Sequence, residues 1–176
     1  MMDASMRVKA DGAFSQARRR VLFRRILTFF TGVQPDSLLS FEEVRAKLKV
    51  RGQHYAGLQT IPLAKIAGSV GRYHEFNRAF LPTQEFIRER WKRIYEVAHS
   101  AAGFPPIDVY QIGDVYFVRD GHHRVSVLKE LGAPTIEAMV TVLDTPIPLS
   151  ADVDEMELEL KAEYATFLQE TGLDAL

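Results

Sequence analysis

One stretch constrains the fold of this chain more than any other, because an apolar segment turns directly into an amphipathic one. Residues 115–119 are mostly apolar, the sequence Asp120-Gly-His-His-Arg124 follows, and apolar residues then recur at helical spacing until Gly132. The pattern predicts a strand that runs straight into a helix. Histidine and arginine side chains and free backbone N–H groups would then lie at the helix N-terminus, where anions bind.

Hydrophobic periodicity and breaker residues predict the remaining elements. Helices are expected at 15–31, 41–49, 84–100 and 154–170, and strands at 107–112, 115–119 and 136–143. The first dozen residues are polar and aperiodic, which predicts a loose segment. Ser40 begins a capping-box pattern, and Thr83 is a candidate cap for the helix that carries Phe86 and Trp91. Pro62 predicts an edge strand or the end of one, before a tight loop at 68–72.

Size and composition limit the classes of protein that the chain can belong to. It has 176 residues, of which 47% are hydrophobic and 26% charged, as in ordinary globular domains. Cysteine is absent, which excludes disulfides, thiolate metal sites and thiol catalysis. No apolar run approaches the length of a membrane span, so we expect a cytoplasmic protein with no membrane partner.

Charge is distributed unevenly between the two ends of the chain. Residues 1–30 carry seven basic side chains against two acidic ones, and residues 144–176 carry nine acidic side chains against one basic. The last helix is predicted to pack through a stripe of apolar residues: Met156, Leu160, Tyr164, Phe167 and Leu168. Opposite charges at the two ends predict attraction within one chain or between copies in a homo-oligomer.

The N-terminal arginines form a cationic face on the first predicted helix: Arg18, Arg19, Arg20, Arg24 and Arg25. Such a face can follow a nucleic-acid backbone, or it can meet the acidic C-terminal helix. The isoelectric point near 6.5 and the lack of a recognition module favour the second interpretation. Nucleic acid therefore remains an alternative partner that the sequence does not favour.

The strand with Ile61, the loop at 68–72 and the hairpin that leads into Asp120-Gly-His-His-Arg124 together resemble the ParB/sulfiredoxin superfamily. The resemblance implies an α/β (α+β) fold with a small mixed sheet, packed helices and additional terminal helices. It covers about residues 57–143. Residues 1–56 would form an N-terminal helical extension, and residues 144–176 an acidic helix packed on the same unit.

Members of this superfamily differ in chemistry, and the differences narrow the expected function. ParB-type domains use a Gly-x-x-Arg element, similar to Gly121-His-His-Arg124, to bind nucleotide phosphates. Sulfiredoxin carries its catalytic cysteine in this turn, where His122 stands here, so its thiol reaction is not expected. The helix-turn-helix domain of partition proteins is not expected either, because a single acidic helix follows the fold. Free serine kinases of the same fold show that the scaffold can transfer phosphoryl groups.

The candidate site is assembled from the turn and the 68–78 loop. The residues predicted to bind phosphate are Ser69, Gly71, Arg72, Gly121, His122, His123 and Arg124. The residues predicted to act in catalysis are Glu75, Asp120 and His122. Asp120 can instead cap the helix or hold Mg²⁺. Adjacent histidines commonly point apart, so we expect one of the two in the site.

The predicted function is that of a stand-alone ParB-like domain that binds a nucleotide, CTP, ATP or ADP, or another phosphate-bearing ligand. Mg²⁺ is a candidate cofactor of the same site. A phosphotransferase or a nucleotide or nucleic-acid hydrolase, either kinase-like or nuclease-like, is the first alternative. A non-enzymatic DNA-associated protein is the second.

Overall fold

A computed structural model describes residues 4–31, 37–100, 103–150, 153 and 155–172, without the side chains of 25–31 and 155. The helices are α1 (Ala4–Thr31), α2 (Phe41–Lys47), α3 (Arg88–Ala98), α4 (His122–Glu130) and α5 (Glu155–Thr171). The strands are β1 (Leu39–Ser40), β2 (Gly52–Pro62), β3 (Ile66–Ser69), β4 (Ile107–Ile112), β5 (Val115–Asp120) and β6 (Thr135–Asp144). The predicted α/β class is confirmed.

The strands form one mixed sheet in the order β1-β3-β5-β4-β6-β2. The β4–β5 hairpin is antiparallel, and β3 and β6 pair in parallel with β5 and β4 respectively. β2 pairs with β6 alone and so forms an edge of the sheet. Pro62 is its last residue, as predicted, because a residue without an N–H group is tolerated at such a position.

Helices cover both faces of the sheet, because side chains alternate between the faces along each strand. On one face, Val118 and Val140 pack in the same cluster as Phe14 of α1 and Trp91 of α3. On the other face, the cluster contains Phe117 and Leu143 of the sheet, Phe41 and Val44 of α2, and Leu158 of α5. α1, α3 and α4 therefore lie on one face of the sheet, and α2 and α5 lie on the other.

The N-terminal segment is more ordered than predicted. α1 begins at Ala4, so the expectation of a loose first dozen residues is wrong. Ala10 and Phe14 are fully buried, which ties this part of the helix to the core. Leu22, although large and apolar, is 62% exposed, since Phe14 and Val21 occupy the buried face.

The starts of α2 and α3 differ in how well the sequence predicts them. Ser40 caps α2 by accepting a hydrogen bond from the Glu43 N–H at 3.5 Å, as the capping box indicates. Thr83 caps no helix, because α3 follows a short 3-10 turn and the Thr83 hydroxyl donates to the His74 carbonyl. Trp91 is buried in α3, whereas Phe86 is exposed in the 3-10 turn.

α5 packs through a different face from the predicted one. Leu158 and Ala165 are buried, while Met156, Leu160, Tyr164 and Phe167 are exposed. Both sets of residues have helical spacing, and contact with α2 selects the first set. Four of the five residues of the predicted stripe therefore face outward, and the fifth, Leu168, is partly buried.

The sheet extends beyond the predicted limits of the central unit. β2 begins at Gly52, and β1 pairs with β3, so part of the sheet precedes residue 57. The division at 56 and 143 stays a prediction. In the part of the chain that the structure describes, no helix is long and apolar enough to cross a membrane.

Candidate anion-binding site

The site is built on the sharp turn between β5 and α4. Gly121 adopts a φ of +103°, which L side chains rarely accept. A Cβ atom at this position would lie 2.3 Å from Ile107 Cγ2, which is well inside van der Waals contact. Glycine is therefore required both by the backbone conformation and by the packing of β4 against the turn.

Asp120 does not cap α4, so that prediction is wrong. Gly121 is the N-cap residue, and no side chain makes a capping hydrogen bond there. The Asp120 carboxylate instead accepts a hydrogen bond from the Arg124 guanidinium at 2.7 Å. The uncapped first turn of α4 leaves backbone N–H groups available to an anion.

His122 links the turn to the loop that follows β3. It is 3% exposed, and its Nε2 lies 2.7 Å from Oγ of the buried Ser69. The same hydroxyl oxygen accepts a hydrogen bond from the Arg72 N–H at 3.1 Å. Burial, followed by the nearby Arg72 guanidinium, lowers the pKa of His122 to about 4. The ring is therefore neutral at physiological pH.

His123 is buried beside the same pocket with an unsatisfied nitrogen. Its ring packs edge-on against Phe76, with 5.4 Å between the ring centroids. Its Nδ1 atom has no hydrogen-bond partner among the described residues. Burial, followed by the Arg90 and Arg72 guanidinium groups, lowers the pKa of His123 to about 4. A buried polar atom of this kind is usually satisfied by a ligand or by water.

A pocket of about 290 Å³ opens at this turn. Three arginines line it, one from each of three parts of the chain: Arg72, Arg90 and Arg124. Asp120, Gly121 and both histidines of the turn also line the pocket. An apolar wall completes it: Ile94, Val97, Phe104 and Pro105. The arrangement combines positive charge, free N–H groups and an apolar surface, which suits an anionic ligand with a flat or apolar portion.

The three arginines are not equivalent. Arg124 donates to the Pro105 and Pro106 carbonyls at 2.5 and 2.8 Å as well as to Asp120, so it braces the pocket wall. Arg72 donates to both carboxylate oxygens of Glu75 at 3.0 Å. Arg90 makes no hydrogen bond or ion pair with any other described residue. Its guanidinium is the one most available to a ligand among these three.

The other predicted site residues lie outside the pocket lining. Ser69 is fully buried behind His122, and Gly71 shapes the loop with a φ of +77°. Glu75 is held by Arg72 and is not among the lining residues. The structure therefore brings Arg72 and residues 120–124 together, but it does not place Ser69, Gly71 or Glu75 on the pocket surface.

Sequence reasoning alone does not find Arg90, since the periodicity of α3 points only to its apolar face. Arg90 directly precedes the buried Trp91, and α3 packs against α4, which brings the exposed guanidinium to the turn. No motif surrounds Arg90, so only the packing of the two helices reveals it.

Part of the cationic face of α1 forms ion pairs with other helices and turns of the same chain. Arg18 pairs with Glu85 and Arg20 with Glu130, on the side of the sheet opposite α5. The predicted pairing of these arginines with the acidic helix of the same chain is therefore wrong for Arg18 and Arg20. The Arg25 side chain lies outside the described residues.

Comparison with known proteins identifies the family. Residues 50–155, more than half of the chain, match the family model of the ParB N-terminal domain. The chain belongs to the ParB N-terminal domain family. This ParB-like domain thus lies within the ParB/sulfiredoxin superfamily, as the resemblance implied.

Among solved structures, the ParB-like domain is similar to sulfiredoxin from Arabidopsis thaliana. The two are 23% identical, with 47% of this chain and 82% of the sulfiredoxin chain covered and a TM-score of 0.35. No curated protein sequence matches the chain significantly.

Proposed function

We propose that this ParB-like domain binds a nucleotide or another phosphate-bearing ligand in the pocket at the Asp120-Gly-His-His-Arg124 turn. The observation that carries the proposal is the convergence of Arg72, Arg90 and Arg124 on the uncapped N-terminus of α4. Backbone N–H groups at a helix N-terminus and guanidinium groups both favour phosphate. ParB domains are in general associated with nucleotides or nucleic acids, which supports the same class of ligand.

The parts of the pocket suggest how such a ligand would lie. Its phosphates would contact the α4 N-terminus and the free guanidinium of Arg90, while a base or sugar would lie against Ile94 and Phe104. His123 would supply a hydrogen bond rather than a charge, since its pKa of about 4 keeps it neutral at pH 7. The unsatisfied Nδ1 atom would gain its partner from the ligand.

Mg²⁺ fits this site as an ion that the ligand brings with it. No group of three or more His, Asp or Glu side chains that could hold a metal occurs within residues 4–31, 37–100, 103–150, 153 and 155–172. Asp120 is the one carboxylate among the lining residues. Mg²⁺ is commonly bound through one or two carboxylates together with substrate phosphates, and Asp120 would be that carboxylate here.

The proposal is tested by isothermal titration with CTP, ATP and ADP, each with and without Mg²⁺, using the wild type and Arg90→Gln. Loss of one charge-assisted hydrogen bond of about 1.5–3 kcal/mol should weaken binding by roughly tenfold or more. Arg93→Gln is the matched control, because Arg93 is an exposed arginine of α3 that does not line the pocket. We expect it to bind as the wild type does.

Arg90 is a sharper probe than Arg124. Substitution of Arg124 would also release the Pro105 and Pro106 carbonyls and so alter the pocket wall itself. Absence of binding to all three nucleotides would refute the proposal that the ligand is a nucleotide. Equal loss of affinity in Arg90→Gln and Arg93→Gln would also contradict it, since general charge rather than the pocket would then attract the ligand.

A further inference from the structure

The outer face of α5 carries a continuous apolar surface. Met156, Leu160, Tyr164 and Phe167 are 71%, 67%, 54% and 51% exposed, and we call these four residues the outer stripe. They recur at spacings of four, four and three residues, so they follow one side of the helix over about 16 Å. The Tyr164 and Phe167 rings stack with 6.5 Å between their centroids. Contiguous exposed apolar surface of this kind usually marks an interaction site.

The opposite face of α5 is buried in the core of the chain. Leu158 and Ala165 are buried at 2% and 1% exposure, in contact with the layer that contains α2. The outer stripe therefore cannot turn inward without exposing these residues. α5 is apolar on two opposite sides, and a helix with this pattern is normally covered on both.

Charge around the outer stripe limits what can cover it. Glu159, Glu163 and Glu170 lie exposed along one side of the stripe; Glu159 is ion-paired with Lys47 of α2, whereas Glu163 and Glu170 make no hydrogen bond or ion pair with another described residue. Two α5 helices packed against each other would bring these carboxylates together, which disfavours an α5–α5 contact. A partner helix with an apolar surface and basic side chains would instead be complementary.

α1 of the same chain has this character. Leu22 and Phe23 are 62% and 63% exposed, although both are large apolar residues. Arg19 lies exposed on the same side of the helix, without a hydrogen-bond or ion-pair partner among the described residues. These three residues make an apolar surface with a free positive charge, and we call them the α1 patch.

The fold prevents the outer stripe and the α1 patch from meeting within one chain. α1 packs on the layer that contains α3, and α5 packs on the layer that contains α2, with the sheet between the two layers. We propose that the outer stripe of α5 docks on the α1 patch of a second copy of this chain. The contact joins two different surfaces, so it is a head-to-tail contact that leaves one free surface of each kind on a pair of chains.

Cross-linking can identify the surfaces that meet, because the natural chain contains no cysteine. Leu22→Cys and Leu160→Cys would be made in separate chains, one of them with a size tag, mixed, and oxidised gently. We expect disulfide-linked pairs that contain one chain of each kind. Phe86→Cys mixed with Leu160→Cys is the control, because Phe86 is 74% exposed and lies outside both surfaces.

Sedimentation velocity over a range of protein concentrations supplies the second test. We expect the mean mass of the wild type to rise with concentration, and Leu160→Gln and Arg19→Glu each to weaken association at least fivefold. Phe86→Gln should associate as the wild type does. Combining Arg19→Glu with Glu163→Arg should restore association, since the charges are then exchanged across the contact.

Three results would overturn the proposal. One is a monomer at every concentration, and another is association that Leu160→Gln leaves unchanged. The third is cross-linking of Leu160→Cys chains only to one another, which would show an α5–α5 contact. None of these results depends on ligand binding at the α4 turn, so the two proposals stand or fall separately.

Discussion

Replacing Gly121 by alanine tests the central structural claim of the site. An alanine at a φ of +103° would be strained by about 1–2 kcal/mol. The added Cβ would also lie 2.3 Å from Ile107 Cγ2, and overpacking of this kind costs about 1–3 kcal/mol more. We therefore expect Gly121→Ala to lower the free energy of unfolding by about 2–5 kcal/mol, a large part of the stability of a typical domain.

The assay is urea unfolding followed by the fluorescence of Trp91, which is the single tryptophan and is fully buried. Gly132→Ala is the matched control, because Gly132 has a φ of +73° but nothing lies within 4 Å of the position of a Cβ. Gly132→Ala should lower the free energy of unfolding only by the backbone strain of about 1–2 kcal/mol. If the two variants are destabilised equally, the close approach of Ile107 to the turn does not exist and the reasoning is refuted.

Two further predictions concern the buried histidines. The pKa of His123 is about 4 in the folded chain, against an ordinary histidine pKa of 6.5. Between these two pH values the unfolded chain therefore binds more protons than the folded chain. The free energy of unfolding falls as the pH drops through this window. Between pH 7 and pH 5, the free energy of unfolding measured in urea titrations should fall by about 2 kcal/mol more for the wild type than for His123→Gln. Identical losses would show that His123 titrates normally. Ser69→Ala should lower the free energy of unfolding by about 1–3 kcal/mol, because His122 Nε2 loses its buried partner. Ser100 is exposed, so Ser100→Ala should change the free energy of unfolding by less than about 0.5 kcal/mol in the same assay. Equal effects of the two serine substitutions would mean that the bond to His122 contributes nothing.

Local pattern is enough to predict the elements that form the core of the fold. The β4–β5 hairpin and the strand-to-helix turn are expected because alternation and helical spacing meet at Asp120-Gly-His-His-Arg124. The predicted boundaries of α3 and the predicted start of α1 are wrong. Thr83 has the chemistry of a cap, but a 3-10 turn separates it from α3, and the buried Ala10 extends the helical spacing of the buried Phe14 toward the N-terminus.

The candidate site is predictable where its residues lie in the turn at 120–124 or in the loop at 68–78. Residues 120–124 and Arg72 line one pocket, as the sequence indicates. Arg90 is not predicted, because it lies in a different helix from the turn. The sequence of neither α3 nor α4 indicates by itself that the two helices pack together. Glu75 is expected to act in the site, yet its nearest partner three residues earlier, Arg72, holds it away from the lining.

By itself, the sequence determined that this chain forms an α/β fold and that a glycine-containing turn joins a strand to a helix N-terminus. Those features depend on the steric and hydrogen-bonding preferences of neighbouring residues. Tertiary structure alone decided which of the two apolar faces of α5 is buried and which arginine is free to bind. A helix with two apolar faces has no local reason to prefer either, so the partner that it packs against decides. Arg124 and Arg90 have the same side chain, but the Asp120 carboxylate and the Pro105 and Pro106 carbonyls hold the first, whereas no described residue holds the second.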